Sequence, residues 1–516
     1  MAAKQEMVED YALRYVPTSF RKPWYSIFNS ANGATTALVG LTYAGGLAMT
    51  YGTVDALIVL SLAVIAIGIV GYYLASRAAE SGLDCDLMTR GSGYGFLGSA
   101  VTSLLYSANY LLFFAFEGDI MAAPIHYYFS GIPMYLIYLV IGLVFVPLTW
   151  YGVTLINRLE WILTPLYMVG LVLLLGSAIP HLSNLSWLTF VPRHPVNPTA
   201  GPPLLQGAAT IFGGLTLATQ SGDLARFVDA KQRTLAGWTL GPITAFLGNF
   251  VFATLGIYIA FAFGNTNPGL TIVKSLGFIG LLMVMITQTR VNILNGYFGS
   301  LAFSNFFARV LKFAPGRQWW VVLTVGLSTI LMELNVLAHI QTVFVVLGMF
   351  MVSWIATIVS DMSINRALGL RPHEFEYKRS HLYALNPVGI ISLTLAMGTG
   401  LLLVFGVAGP MGFTVAPFVA LTIGVVAPVA LAALTRGKYY ISPARDHFEA
   451  SLGTDSFVEC ATCATQYEVR DSVYCPYHEA PLCSVCCATD KSCGEVCKTQ
   501  SQSALVAFES SVEVEK

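Results

Sequence analysis

Long apolar runs separated by short polar links fill most of this chain. Each run is long enough for a membrane-spanning helix, which needs about 20 mainly apolar residues to cross the hydrocarbon of a bilayer. The runs therefore predict twelve transmembrane helices, over residues 27–50, 53–76, 96–124, 132–154, 159–181, 204–227, 237–263, 277–308, 319–337, 340–360, 387–407 and 413–435. Composition agrees, because only 11% of the residues are charged, whereas soluble domains carry about 25%.

The polar links predict the orientation of these helices, because basic residues collect on the cytoplasmic side of a membrane. Alternate links are rich in Arg and Lys: Arg77 and Arg90; Arg158; Arg226, Lys231 and Arg233; Arg309, Lys312 and Arg317; and Arg366, Arg371, Lys378 and Arg379. The opposite links contain only Arg193 and Lys274. We therefore expect an integral, multi-pass protein of the cell (inner) membrane with both termini in the cytoplasm.

Composition also divides the chain into four parts. Residues 1–26 are expected to form a cytoplasmic N-terminal segment, because they are charged and aromatic and lack the apolar core of a signal peptide. Residues 27–440 hold the twelve-helix membrane domain, 441–500 a cysteine-rich module and 501–516 a flexible tail. The formal net charge of −1 gives no sign of a nucleic-acid partner. The expected partners are therefore the lipid bilayer and a small-molecule substrate.

Two of the predicted helices contain glycines that weaken a helix. Asn32-Gly33 lies in the first span and Gly213-Gly214 in the sixth, and a glycine costs about 1 kcal/mol relative to alanine inside a helix. Such glycines can instead allow close packing between neighbouring helices. If helices 1–5 and 6–10 are two copies, the interruptions occupy corresponding positions, which is typical of inverted-repeat transporters with a midplane site. We therefore predict an all-α 5+5 inverted-repeat fold with broken helices 1 and 6.

Two ionisable residues are expected at membrane depth. Arg290 lies near the middle of the eighth span, where an arginine costs at least about 2.5–3.5 kcal/mol on insertion scales. We therefore expect it to face the bundle interior with an acidic partner, and Glu117 of the third span is the expected counter-charge. Phe113 lies four residues before Glu117, on the same helical face. The two side chains can alternatively present an apolar surface and a carboxylate to a flat heterocycle.

A motif at the end of the sixth span resembles that of a known family. Ser221-Gly-Asp-Leu-Ala-Arg-Phe227 is similar to the Asp-x-x-Arg-Phe signature of the nucleobase–cation symporter family 1, the cytosine, purine, uracil and hydantoin permeases. Asp10-Tyr-Ala-Leu-Arg14 and Asn292-Ile-Leu-Asn295-Gly-Tyr297 agree with it, so that the resemblance covers roughly residues 8–440. It implies a permease that works by alternating access. Within the motif, Asp223 and Arg226 are three residues apart and are expected to form a structural ion pair at a gate.

The resemblance also implies roles for individual residues. In that family the substrate stacks between aromatic side chains of helices 3 and 6 and binds polar side chains of helices 3 and 8. By matching the motifs, Phe113 falls at the helix 3 aromatic, Glu117 at its polar partner and Asn295 at the helix 8 amide. The predicted substrate-binding set also includes Asn32, Gly33, Gly214 and Asn292. Relatives have the second aromatic at the position of Gly214 or Leu215, and their sodium-binding hydroxyls fall at Thr289 and Arg290. The resemblance thus implies an arginine at or beside the sodium site, without standard sodium coupling.

Eight of the nine cysteines lie between Cys460 and Cys497, together with His478. Thiols stay reduced in the cytoplasm, so this density indicates a metal site rather than disulfides. Two Cys-x2-Cys pairs suit tetrahedral zinc, and the expected first ligand set is Cys460, Cys463, Cys483 and Cys486. A second zinc ion has enough candidate ligands in Cys475, His478, Cys487, Cys493 and Cys497. An iron–sulfur cluster is the alternative cofactor.

Two functions therefore compete. The first is a secondary transporter for a nucleobase-like or related small heterocyclic solute. The alternative is a transporter-derived sensor, because a permease-like domain followed by a cysteine-rich module resembles the input half of certain bacterial membrane sensor kinases. Its partner would then be a cytoplasmic signalling protein such as a kinase. An enzyme is not expected, because the sequence shows no combination of nucleophile and base.

Overall fold

The computed structural model describes residues 11–181, 185–192, 196–443, 448–449 and 456–498. Within these ranges the chain forms a bundle of helices followed by a small module of short strands. The predicted tail over 501–516 lies outside the described residues, as do Asp10 of the N-terminal motif and Arg193 of the fifth link.

The helices of the bundle overlap the predicted spans, although those that cover the fifth, seventh and eighth spans begin six to nine residues earlier. They are α1 (Trp24–Thr35), α2 (Leu38–Tyr51), α3 (Thr53–Ser81), α4 (Cys85–Thr89), α5 (Ser99–Tyr128), α6 (Met134–Trp150), α7 (Val153–Ala178), α8 (Pro203–Ala209), α9 (Thr216–Ala225), α10 (Ala230–Phe263), α11 (Pro268–Val310), α12 (Arg317–Glu333), α13 (Ile340–Ser360), α14 (Pro387–Val404) and α15 (Gly409–Thr435). The short α4 packs beside α5 in the link that follows α3.

Eight helices in the described part of the chain are long and apolar enough to cross a membrane, namely α3, α5, α7, α10, α11, α13, α14 and α15. The other four predicted spans fall on the pairs α1–α2 and α8–α9 and on α6 and α12, which have 17 residues each. A helix of 17 residues is about 26 Å long, slightly less than the hydrocarbon thickness of about 30 Å. The helix lengths therefore support a multi-pass membrane protein.

The predicted interruption of the first span is present, whereas the sixth span tightens into a 3-10 helix without leaving helical backbone angles. The first span is divided into α1 and α2 at Thr36 and Ala37, a few residues after Gly33. The sixth is divided by a 3-10 turn over Thr210–Leu215, which contains Gly213 and Gly214. A helix end leaves backbone N–H or C=O groups without intrahelical partners. The break between α1 and α2 therefore presents polar backbone groups inside the bundle, where an uninterrupted helix would present none.

The 43-residue helix α11 bends near its start. Gly277 has φ 59° and ψ −131°, which is far from helical values and is readily adopted only by glycine. The predicted eighth span begins at this residue, so the bend separates the preceding helical turns from the long segment that carries Arg290. That segment packs along α5, which brings the third and eighth spans into contact.

The cysteine-rich module contains two antiparallel hairpins and one short helix. Strand β1 (Phe457–Glu459) pairs with β2 (Gln466–Glu468), and β3 (Ser472–Cys475) pairs with β4 (Ala480–Cys483). Helix α16 (Ser484–Thr489) follows directly. The core of the module consists of a few residues, with Val473 and Leu482 among its cysteines. So small a core supplies little folding free energy by itself.

The module packs on the end of the bundle where α11 finishes. Asp471 is almost fully buried and accepts hydrogen bonds from Arg14 Nη1 at 3.1 Å, from the Tyr377 hydroxyl at 2.6 Å and from the Ser484 hydroxyl at 2.6 Å. Arg379 donates to two backbone carbonyls of the module. These contacts join the module to the N-terminal segment and to the loop that precedes α14.

Glu376 stabilises that loop. Its carboxylate accepts hydrogen bonds from His381 Nδ1 at 2.8 Å and from the backbone N–H groups of Tyr377 and Lys378 at 3.0 Å. Burial by itself would raise the pKa of Glu376, but His381 and Lys378 outweigh it and hold the pKa well below the usual 4.5. The resulting stabilisation is complete above pH 4.5 and is lost as the pH falls from there toward the lowered pKa.

Replacing Asp471 by Ala is expected to loosen the module from the bundle. A buried donor that loses its acceptor costs about 1–3 kcal/mol, and Asp471 serves three donors. Amide hydrogen exchange should therefore become faster in β3 and α16. Glu459→Ala is the control, because Glu459 is an exposed acid of the same module. Equal protection in wild type and Asp471→Ala would contradict this role.

Candidate functional site

A cavity of about 110 Å³ lies where the two broken helices meet. Side chains and backbone from both breaks, α5, α10 and α11 form its wall, which includes Phe113, Glu117, Gly214, Gln220, Asn249 and Asn295. The resemblance predicted four of these six, namely Phe113, Glu117, Gly214 and Asn295. An apolar cavity of about 150 Å³ binds benzene, so the volume suits a solute with one ring.

Glu117 is fully buried in the wall of this cavity. Its Oε1 accepts a hydrogen bond from the backbone N–H of Val39 at 3.3 Å, in the first turn of α2. Its Oε2 accepts a hydrogen bond from Gln288 Nε2 at 2.8 Å. The N-terminus of a helix carries partial positive charge and favours an anion. The break in the first span therefore stabilises the ionised form of Glu117.

The cavity residues that were not predicted from the sequence include Tyr43, Gln220, Asn249 and Phe252. The ring of Phe252 belongs to α10 and supplies a second aromatic side chain, which the glycine at 214 cannot. The only available signal was polarity, because Gln220 and Asn249 are amides inside long apolar runs. Sequence position could not show that α10 reaches this cavity.

A second cavity, of about 400 Å³, adjoins the first toward the C-terminal end of α2. Tyr43, Thr210 and Gly213 line both cavities. The Tyr43 hydroxyl and Thr210 Oγ1 are 2.5 Å apart and form a hydrogen bond at the boundary. The two cavities are thus separated by a thin closure between the two broken helices.

Arg290 does not pair with Glu117, and that prediction is wrong. Its Nε donates to Glu160 Oε2 at 2.8 Å and its Nη2 to the Thr164 hydroxyl at 3.0 Å. The side chains of both charged residues are almost completely buried. Glu160 and Thr164 belong to α7, which begins at Val153 rather than at the predicted residue 159. Glu160 therefore lies two turns inside the helix, at the depth of Arg290.

The Arg290–Glu160 pair packs directly against the first broken helix. A Cβ on Gly33 would lie 2.7 Å from Glu160 Oε1 and 2.9 Å from the carbonyl oxygen of Arg290. Both distances are too short for a carbon atom, so this approach of α1 requires a glycine. Gly33 thus positions α1 against the ion pair, and it is not among the residues that line the cavity.

Asn32, Asn292 and Thr289 also lie outside the set of described residues that line the cavity. Asn292 Oδ1 accepts a hydrogen bond from Asn295 Nδ2 at 3.2 Å, so it orients the amide that does face the cavity. Asn32 and Thr289 are half-buried. The substrate roles predicted for Asn32 and Asn292, and the ion-site role that the resemblance implies for Thr289, remain predictions.

The predicted ion pair between Asp223 and Arg226 is replaced by other contacts. Arg226 Nη1 pairs with Asp84 Oδ2 at 3.0 Å, and both side chains are fully buried. Asp223 accepts hydrogen bonds from the Tyr106 hydroxyl at 2.7 Å and from the backbone N–H of Cys85 at 2.9 Å. The motif therefore ties α9 to α4 and α5, one to two turns beyond the cavity residue Gln220.

The first predicted metal-ligand set assembles in the module. The Sγ atoms of Cys460, Cys463, Cys483 and Cys486 all lie within 4.8 Å of one another. Zn–S bonds of about 2.3 Å place the sulfurs of a tetrahedral site about 3.8 Å apart, so a small contraction would complete the site. The first pair follows β1, and the second pair joins the end of β4 to α16. The cluster can hold one metal ion.

The second predicted set is only partly assembled. Cys475 Sγ lies 3.3 Å from His478 Nδ1, and Cys487 and Cys493 pack against the same small core. Among the residues that the structure describes, only the first group of four meets the distances of a metal site. A second zinc ion, with Cys497 as a further ligand, therefore remains a prediction.

No family model and no curated protein sequence matches this chain. Solved structures do match it. One is Mhp1, a nucleobase-cation-symport-1 family transporter, in a closed conformation with bromovinylhydantoin bound. Its sequence is 16% identical to this chain and its structure aligns with a TM-score of 0.61. The alignment covers 84% of this chain and 99% of Mhp1. Inward-facing Mhp1 gives 15% identity and a TM-score of 0.62, over 83% and 97%. A substrate-bound, outward-open Na+-coupled sialic acid symporter gives 14% and 0.60, over 84% and 93%.

The likeness is one of fold, because sequence identity does not exceed 16% in these three comparisons. All three structures are of membrane transporters rather than enzymes. The comparisons give the sensing hypothesis no support. The resemblance seen in the sequence is thus confirmed at the level of structure, and this protein is a multi-pass membrane protein with the fold of the nucleobase-cation-symport-1 transporter Mhp1.

Proposed function

We propose that this protein is a secondary transporter for a nucleobase-like or related small heterocyclic solute, working by alternating access. The observation that carries the proposal is the cavity at the two helix breaks, with an aromatic ring, amides and a carboxylate in its wall. The fold supports it, because Mhp1 has been solved with bromovinylhydantoin bound. The proposed membrane domain has twelve spans in a 5+5 inverted repeat, with both termini in the cytoplasm.

Two closures on either side of the cavity are proposed to open in turn. The outer one is the hydrogen bond between Tyr43 and Thr210, which separates the central cavity from the second cavity. The inner one is the buried Arg226, which pairs with Asp84 and donates to the carbonyl oxygen of Tyr11 at 3.0 Å. A single hydrogen bond is much weaker than a buried charged network, so the outer closure is the easier one to open.

We further propose that Arg290 replaces a coupling sodium ion. Its guanidinium is held by Glu160 beside the first helix break, where the family resemblance places sodium-binding hydroxyls. A fixed positive charge at that position would repel a sodium ion and would neutralise the carboxylate of Glu160. Transport would then proceed without a sodium gradient.

Uptake into proteoliposomes tests both proposals. We expect radiolabelled uracil, cytosine or hydantoin, tried one by one, to accumulate above empty liposomes at the same rate in sodium and in choline buffer. A sodium-dependent rate would contradict the role of Arg290 while leaving transport intact. Binding of a solute without uptake in either buffer would contradict transport itself.

Replacing Phe113 by Leu is expected to raise the KM for the transported solute about two- to tenfold, because aromatic stacking contributes about 0.5–1.5 kcal/mol. Phe114→Leu is the matched control on the same helix, since its ring is buried against Phe145 and does not line the cavity. Initial uptake rates over a range of solute concentrations measure the difference. Equal KM values for the two variants would show that the Phe113 ring does not contact the solute.

The module is proposed to bind zinc through Cys460, Cys463, Cys483 and Cys486. Four thiolates on two tight turns suit tetrahedral zinc, which needs no open coordination position in a structural site. Bound zinc would supply much of the free energy that folds a module with so small a core. An iron–sulfur cluster is the alternative, because the same four ligands can bind it.

A further inference from the structure

The cavity wall contains an acidic side chain without a cationic partner among the described residues. Among the described residues that line it, Glu117 is the one with a formal charge. The nearby buried arginines are already paired, Arg290 with Glu160 and Arg226 with Asp84. No lysine, arginine or histidine forms an ion pair with Glu117 among the described residues, although its side chain is fully buried. Buried carboxylates normally have a cationic partner.

The broken helices add to this negative character. Helix α1 ends at Thr35, and Ala34, Thr35 and Ala37 line the cavity. The C-terminal end of a helix carries partial negative charge. In broken-helix transporters such ends bind cations. The N-terminal end of α2 would favour an anion, but its Val39 N–H already donates to Glu117. A cation is therefore the better occupant of the remaining space.

A second residue with an unused acceptor belongs to the same wall. Gln220 lines the cavity, and its buried Oε1 has no hydrogen-bond partner within the described part of the chain. A carboxylate can accept about four hydrogen bonds, and Glu117 receives two through its carboxylate oxygens. The wall thus offers acceptors on two sides, which a solute with several N–H donors would satisfy.

We infer that the transported solute is a small planar cation, of the amidinium or protonated amino-heterocycle class, whose positive N–H group contacts Glu117. A further N–H group of the same solute reaches Gln220, and Phe113 covers the face of its ring. The volume of about 110 Å³ limits the solute to roughly one ring. This inference rests on the proposed transport role of the cavity.

A matched pair of probes tests the charge. Benzamidine is a cation at neutral pH, and benzamide is a neutral molecule of the same shape. We expect benzamidine to bind purified protein in nanodiscs at least about tenfold more tightly than benzamide, because hydrogen bonds to charged groups are the stronger ones. Guanidinium and urea repeat the comparison with smaller molecules. Tighter binding of the neutral member in both pairs would overturn the inference.

Variants identify the charge that is responsible. In Glu117→Gln we expect the preference for benzamidine to fall to within about twofold, and in Glu117→Asp we expect it to persist. Asp119→Asn is the control, since Asp119 lies on the same helix and accepts from Tyr138 without lining the cavity. An unchanged preference in a folded Glu117→Gln protein would overturn the inference. If Glu117→Gln does not fold, the inference is still tested by the preference for benzamidine over benzamide in the wild type and in Glu117→Asp.

Uptake separates the two proposals. Uptake of a neutral nucleobase that benzamidine does not inhibit would overturn the cationic solute while leaving transport intact. Selective binding of benzamidine without uptake of labelled benzamidine or of any nucleobase would instead contradict the transport function. Uptake of labelled benzamidine, abolished in Glu117→Gln and retained in Asp119→Asn, supports both.

Discussion

Glu160→Gln is expected to destabilise the protein more than the double substitution Glu160→Gln with Arg290→Met. The single change leaves a buried guanidinium without its counter-charge, which costs about 3–5 kcal/mol. The double change removes both charges and leaves groups of similar volume, which is often close to neutral. Thermal unfolding of purified protein in detergent, completed to a double-mutant cycle, measures the coupling between the two side chains.

Two comparisons make this expectation specific. Glu80 pairs with Arg233 at 2.7 Å, but both side chains are at least one-third exposed, so Glu80→Gln should change stability by less than about 1 kcal/mol. Glu117→Gln combined with Arg290→Met should give additive losses, because Arg290 binds Glu160 instead. Coupling between residues 117 and 290, or additive losses for 160 and 290, would show that the buried arginine has a different partner.

Cys483→Ser is expected to abolish metal binding and unfold the module. Cys483 supplies one of the four clustered sulfurs, and structural zinc contributes about 10–16 kcal/mol of apparent binding free energy in small zinc modules. Elemental analysis of natively purified protein should find close to one zinc per chain in wild type and almost none in the variant. A strong chelator should have the same effect on wild type. Loss of protection against hydrogen exchange in β3 and β4 would report the unfolding.

Controls separate this metal site from other roles of cysteine. Cys85 is buried in the membrane domain and donates to the Thr219 carbonyl, so Cys85→Ser should keep its full metal content. Cys493→Ser tests the second predicted ligand set, since it removes metal only if a second ion is present. Wild-type protein that contains neither zinc nor iron would contradict the metal site altogether. Iron with sulfide in place of zinc would identify a cluster.

The difference between the predicted and observed partners of Arg290 has a simple structural origin. The fifth span was predicted to begin at residue 159, which puts Glu160 at the end of that span and away from the depth of Arg290. Helix α7 begins at Val153 instead, and seven residues of helix correspond to about 10 Å of depth. An error of six residues at one helix end therefore removed the true partner from consideration. Glu117 remained as the expected acid only because its span was centred correctly.

The Asp223–Arg226 pair shows a second limit of local spacing. Residues three apart on a helix are neighbours, and the motif suggested an internal ion pair. Arg226 lies at the C-terminal end of α9, where its side chain reaches Asp84 in the link after α3. A contact across 142 residues of chain is set by how the helices pack, and spacing within one helix carries no information about it.

The sequence by itself determined the features that depend on local composition. Apolar length placed the helices, glycines indicated the break in the first span and the 3-10 segment in the sixth, and two Cys-x2-Cys pairs placed the four clustered sulfurs. Only the tertiary structure decided which charges meet. It assigned Arg290 to Glu160, and it left Glu117 at the cavity with the N-terminus of α2 and Gln288 as partners. The physical reason is that burial depth and helix packing govern electrostatic pairing, and both emerge only when distant segments come together.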